Sequence, residues 1–317
     1  MIVMKFGGTS VGGKQAIERT IGIVRGRLSQ RPVVVVSAMS KVTDFLYTVY
    51  DAIDSADSSL LEERLRELRA RHLSVVNELI SGPLWREEAA SRVEALTASI
   101  TMSSSMASVI SKGEYLSSNI IVCAMNSLGI RAAWLDARSY MVTDEDALKG
   151  EPDFDEICRR APKEIDAAFS GQDVVVTQGF VGISKNGTET VLGRGGSDFS
   201  ASITGMAVDA DVIEIWTDVD GVRSADPRKV PATRCIPKIS FEEAFELFGN
   251  AAFDVDRNGK RKSLLSRISD FMTKKAKKPV IDENLCVRCG VCVSNCPVPG
   301  KAIDFVNGRE SAPQYDY

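Results

Sequence analysis

Five short β-branched runs punctuate this chain, at residues 2–6, 32–37, 173–177, 190–192 and 212–216. They are largely apolar rather than alternating, so each is expected to be covered on both faces of a sheet. Residues 15–28, 43–56, 60–80, 85–100, 119–128 and 199–208 instead repeat apolar positions at helical spacing. Strands alternating with helices predict a layered α/β domain with a mostly parallel central sheet. The helical stretch from residue 60 to 110 breaks the alternation and is expected as an insertion packed beside the sheet. Residues 103–105, three serines, read as a turn within it.

Two glycine-rich segments lie far apart in the chain and suit one ligand. Lys5-Phe6-Gly7-Gly8-Thr9-Ser10 ends the first strand, and Leu192-Gly193-Arg194-Gly195-Gly196-Ser197-Asp198 precedes a helix. Glycines without a Cβ let backbone N–H groups approach a ligand, and clustered N–H groups suit phosphate. Each segment adds one cation, Lys5 and Arg194. A nucleoside triphosphate beside an acidic substrate fits that combination.

A net charge of -4 gives no global reason to expect nucleic acid or a membrane surface. No apolar run reaches the roughly 18 residues of a spanning helix, and the amino terminus enters a strand without a signal-peptide pattern. A cytoplasmic location is therefore the expectation. The single histidine, His72, lies in a charged helical stretch and is expected at the surface. Catalysis is thus expected to proceed without an imidazole base. Cys123, Cys158 and Cys235 are scattered and read as small hydrophobes. Cys286, Cys289, Cys292 and Cys296 crowd together and read as a metal site rather than disulfides.

Several motifs then converge on one family. Lys5-Phe6-Gly7-Gly8-Thr9-Ser10-Val11 and Val34-Val35-Val36-Ser37-Ala38-Met39-Ser40-Lys41-Val42-Thr43-Asp44 resemble those of aspartate kinases, within the amino-acid kinase superfamily. So do Gly113-Glu114-Tyr115-Leu116-Ser117, Gly193-Arg194-Gly195-Gly196-Ser197-Asp198, Trp216-Thr217-Asp218-Val219-Asp220-Gly221 and Asp226-Pro227-Arg228, in the family's order. The resemblance implies a three-layer α/β/α amino-acid kinase fold over residues 1–249. It implies transfer of the ATP γ-phosphoryl group to the side-chain carboxylate of L-aspartate, the first step of aspartate-derived amino-acid biosynthesis, including that of lysine and threonine. A carboxylate is already an anionic nucleophile, so the reaction asks for positioning and charge relief rather than a base.

By motif position, Lys5 and Asp198 carry catalysis, the lysine neutralising the transferring phosphoryl group and the aspartate orienting the lysine. Gly7 and Gly8 offer N–H donors, and Ser10 a hydroxyl, at the phosphates. Arg194 forks onto the substrate α-carboxylate, Glu114 meets the α-ammonium, and Thr43 lends a hydroxyl. Thr217, Asp218, Arg223 and Arg228 match the ATP-binding segment, with Mg²⁺ held by phosphate oxygens and water. Other readings stay open: Glu114 as an acid at a helix N-terminus, Thr43 as a helix cap, and Asp226-Pro227 as a turn. Asn250-Ala251-Ala252 stands where the family carries a lysine on the nucleotide side, and Arg223 where a tyrosine is common; both bear on ATP affinity. The family's two small regulatory domains have no counterpart in these residues, so feedback through them is expected to be lost. A homodimer stays open.

Past Gly249 the composition shifts. Residues 250–278 form a basic linker, with nine Lys and Arg against Asp270 alone between Arg257 and Lys278. Residues 279–317 resemble half of a two-cluster ferredoxin, a small α+β unit. Cys286-x-x-Cys289-x-x-Cys292-x-x-x-Cys296-Pro297 is the bacterial spacing for a 4Fe–4S cluster, with zinc as the alternative. In such ferredoxins the fourth cysteine serves the other cluster, and a second run is expected beyond Tyr317. Cys296 bending back, donation by another subunit, and no stable cluster all stay open. The join reads as a fusion. Two further functions stand beside aspartate phosphorylation: an iron–sulfur electron carrier with an inactive kinase-like body, and an amino-acid kinase of different substrate, such as N-acetylglutamate or a nucleoside monophosphate.

Overall fold

The computed structural model describes residues 1–103, 105–193, 195–216, 221, 224, 232–236, 238–239, 280–281 and 303–305. Strand β1 (Ile2–Phe6) leads into α1 (Lys14–Arg25), and β2 (Pro32–Val36) into α2 (Val42–Asp54). Three helices follow without a strand: α3 (Ser58–Leu79), α4 (Pro83–Ser99) and the short α5 (Met106–Ile110). Next come α6 (Lys112–Ser127), β3 (Ala132–Leu135), β4 (Val142–Thr143), α7 (Phe154–Ala168) and β5 (Val174–Gln178). Then follow β6 (Val181–Ser184), β7 (Glu189–Val191), α8 (Gly196–Ala207) and β8 (Val212–Trp216).

The main sheet runs β3-β5-β2-β1-β8, and every pairing in it is parallel. All of its C-terminal strand ends therefore share one edge. The chain leaves β1 towards β2 on one side and reaches the other side only at β8. That reversal opens a crevice at the strand ends, the usual ligand position in open α/β sheets. A smaller sheet, β4-β6-β7, pairs β6 with β7 antiparallel, and β7 delivers the second glycine loop to α8. Short strands β9 (Lys238–Ile239), β10 (Val280–Ile281) and β11 (Ile303–Phe305) pair with one another, β11 lying between the other two.

Strand periodicity divides the core into two layers. Ile2, Met4, Phe6, Val34 and Val36 pack with α1, α2 and α6 on one face, and α3 and α4 extend that cluster. Val3, Val33, Val35 and Val175 face the opposite cluster, which holds Ile157, Ala161 and Ile165 of α7 and Ala201 of α8. The three-layer expectation holds. Lys5 shares its parity with Val3, so the one cation of β1 points towards α8.

The structure departs from the sequence reading in several places. β3, β4, β6 and α7 were not foreseen, and α6 starts at Lys112 rather than at residue 119. His72 is not at the surface: it is fully buried. It lies on the stripe of α3 that buries Leu65, Leu68, Val75 and Val76, so its spacing, rather than its charged neighbours, decides its side. Its Nδ1 lies 2.7 Å from the Leu68 carbonyl oxygen, and burial pushes the imidazole down to about 4. A neutral ring is the form such a site tolerates. Ser105 caps α5 through a capping box with Ser108, consistent with a break in the helical insertion. Among the described residues, no helix is long and apolar enough to cross a membrane.

Candidate active site

Lys5 and Asp198 meet beneath the crevice. The Lys5 ammonium lies 2.7 Å from Asp198 Oδ1, and the two residues are 7% and 6% exposed. Asp198 stands in the first turn of α8, where the helix dipole favours negative charge. Gly195 caps that helix with φ 76°, a left-handed conformation that glycine adopts without strain. A cation in an otherwise apolar strand is costly unless paired, and Asp198 supplies the pairing.

The first glycine loop joins the ends of three neighbouring strands. The Gly7 N–H donates to the Trp216 carbonyl at 3.2 Å, and Ser40 N–H donates to the Gly8 carbonyl at 3.1 Å. This corrects the expectation for Gly7, whose N–H is spent in tying β1 to β8. The Gly8 N–H has no acceptor among the described residues. Ser10 lies at the same corner, its hydroxyl 3.4 Å from the Trp216 carbonyl oxygen.

Glu114 approaches from the other layer, in the first turn of α6. A Cβ added at Gly113 would stand 2.7 Å from the Ala38 Cβ, so a glycine there is what lets α6 close on the loop after β2. The Ser117 hydroxyl fixes the same contact by donating to the Ser37 carbonyl at 2.8 Å. Glu114 is 3% exposed, and its Oε2 has no hydrogen-bond partner among the described residues. Burial pushes its carboxyl up to about 8, against an opposing hydrogen bond from the Ala38 backbone. A buried acid with an oxygen left over calls for a cationic partner. The role of the Ala38 backbone was not anticipated; the close-packed Ser37-Ala38-Met39-Ser40 motif was its signal.

Thr43 is half-buried at the second position of α2, whose N-cap is Lys41. The capping alternative for Thr43 therefore falls, and its hydroxyl makes no hydrogen bond among the described residues. Lys5, near the C-terminal end of β1, is thus joined by Gly7, Gly8, Ser10, Thr43, Glu114 and Asp198, which stand on loops or first turns at the C-terminal strand ends. Arg194, Thr217, Asp218, Arg223, Arg228, Cys286, Cys289, Cys292 and Cys296 lie outside the described residues.

Known proteins resemble this chain in sequence and in fold. A model of the amino acid kinase family matches residues 1–281, and a 4Fe-4S binding domain model matches residues 278–303. The chain is 35% identical over 259 residues to a chloroplastic bifunctional aspartokinase/homoserine dehydrogenase 2 of Zea mays, across 77% of this chain and 28% of that one. It is 32% identical over 253 residues to lysine-sensitive aspartokinase 3 of Escherichia coli, across 78% of this chain and 55% of that one. The crystal structure of E. coli aspartokinase III with aspartate and ADP superposes with a TM-score of 0.69 at 31% identity, covering 78% of this chain and 56% of that one. Clostridium acetobutylicum aspartate kinase gives 0.69 at 25% identity, covering 98% and 63%. The chain thus spans from about a quarter to just over half of the curated relatives named here.

Proposed function

The chain belongs to the amino acid kinase family, and on that premise we propose that it phosphorylates the side-chain carboxylate of L-aspartate with ATP, giving 4-phospho-L-aspartate. Glu114 carries the choice of substrate. Its buried Oε2 lacks a partner among the described residues, and the ammonium of a free amino acid complements it. An acylated amine such as that of N-acetylglutamate brings no cation to Glu114 and so gains none of the charge pairing that a free ammonium gains there.

In this reading Lys5 offers its ammonium to the transferring phosphoryl group while Asp198 keeps it charged and aimed. The Gly8 N–H adds a donor, and the amino end of α8 adds favourable dipole for the phosphates. Arg194 holds the substrate α-carboxylate, and Thr43 and Ser10 contribute hydroxyls. Thr217, Asp218, Arg223 and Arg228 hold the nucleotide, and Mg²⁺ shields the phosphate charge. The acceptor carboxylate needs no deprotonation, so the site's task is to hold two anions in line. A cytoplasmic location, a homodimer, and a division into residues 1–249, 250–278 and 279–317 belong to the same proposal. The test is ADP release on purified full-length protein with ATP, Mg²⁺ and L-aspartate. Turnover with aspartate and none with N-acetylglutamate is expected; the reverse preference would overturn the reading.

A second reading concerns the tail, supported by the four-cysteine spacing and the match over residues 278–303. It holds a 4Fe–4S cluster that takes no part in phosphoryl transfer. Joint replacement of Cys286 and Cys289 by serine is expected to abolish iron and acid-labile sulfide in anaerobically prepared protein. Aspartate turnover should stay within about twofold, since phosphoryl transfer to a carboxylate consumes no electrons. A loss of turnover in step with the iron would show the tail to be integral.

A further inference from the structure

A cavity of about 630 Å³ lies away from the strand-end crevice, between α4, the outer side of α6 and edge strand β3. Its size is that of a small-molecule site. None of Lys5, Gly8, Glu114 or Asp198 lines it, and among the described residues neither does any carboxylate. The side chains of Trp85 and Trp134 supply flat apolar surface, with the ring of Tyr115 buried beneath, and Arg92, Lys112 and Arg138 supply three cations.

Two of those cations are already engaged. Arg92 pairs with Glu88 at 2.7 Å, and Arg138 pairs with Asp136 at 2.6 Å while lying over the Tyr115 ring at 5.1 Å. Lys112 lies over the same ring, its ammonium 5.3 Å from the centroid, with no carboxylate in ion-pair range among the described residues. Tyr115 cannot answer it as an anion: burial holds the phenol far above its usual range, and its hydroxyl donates to Asp136 at 3.2 Å. The cavity therefore combines aromatic surface with one uncommitted positive charge. Either feature alone would be ordinary; side by side in one open pocket they suit an anion with an apolar body.

We propose that this cavity binds a small monoanion with a flat apolar body, of the aromatic carboxylate class, its acid group on Lys112 and its ring among the aromatic side chains. The test is ligand-observed NMR titration of the full-length protein with benzoate, benzamide and acetate, each with and without saturating L-aspartate. Benzoate should saturate at least about tenfold below the other two, in the millimolar range suited to so small a probe. Aspartate should leave that binding unchanged, because the two sites are separate. Lys112→Gln should weaken benzoate by about tenfold, the effect of losing one charge-assisted contact, without altering benzamide. Ala95→Trp, which fills the wall of the cavity, should abolish both. Equal affinities for benzoate and benzamide, displacement by aspartate, or indifference to Lys112→Gln would each overturn the proposal.

Discussion

Joint replacement of Lys5 by methionine and Asp198 by leucine is expected to leave a folded protein that phosphorylates aspartate roughly 10²–10³-fold more slowly, or not at all. The pair is chosen with folding in mind. Removing Lys5 alone takes the ion-pair cation from a carboxylate that is 6% exposed, and breaking a buried pair on one side only is strongly destabilising. Apolar residues of similar volume remove both charges together, and such exchanges are often neutral for stability. Thermal unfolding should therefore change little while coupled ADP release collapses. Binding of aspartate, measured calorimetrically, should survive, because neither residue is assigned to the amino acid. Near-normal turnover in this folded double variant would remove Lys5 from the chemistry.

Glu114→Gln is expected to raise the aspartate requirement by roughly 10²-fold, the effect of truncating one partner of a buried charge pair. Turnover at saturation should fall far less. The pH dependence follows from the same group. With its carboxyl raised to about 8, the empty site is protonated at neutral pH and must release a proton to receive an ammonium. Aspartate affinity should therefore rise with pH by up to about tenfold per unit below pH 8 and level off above it. The glutamine variant should lose that slope. Stability moves the opposite way. The unfolded carboxyl ionises near 4.5 while the folded one resists until about 8, so the folded protein loses stability as pH rises through that window. Glutamine carries no such penalty, and Glu114→Gln should melt higher than the parent at pH 9 and much like it at pH 4. A flat pH profile for aspartate in the parent protein would sink this account of Glu114.

The local pattern reached far into this fold, but unevenly. Continuous β-branched runs marked the buried strands β1, β2, β5 and β8, because a parallel sheet covered on both faces admits little else. α7 escaped notice: its buried stripe is only Ile157, Ala161 and Ile165, set among charges and interrupted by Pro162. β3, β4 and β6 span four residues or fewer, too short for a period to declare itself. His72 was misplaced because its charged neighbours outweighed its position on the stripe.

Within the site, residue type and motif order were enough to nominate Lys5, Glu114 and Asp198, since few side chains can neutralise a phosphate or hold an ammonium. Strand parity then turned Lys5 towards α8, a consequence of a two-residue repeat that any β-strand obeys. What the chain could not disclose was distance and desolvation. The 2.7 Å contact between Lys5 and Asp198 joins residues from opposite ends of the domain, and the spent Gly7 N–H depends on where β8 ends. The raised pKa of Glu114 depends on α6 closing over Ala38 until water is excluded. Motifs specify which groups are present; only packing sets how far apart they stand and how much water lies between them, and electrostatic energy depends on both.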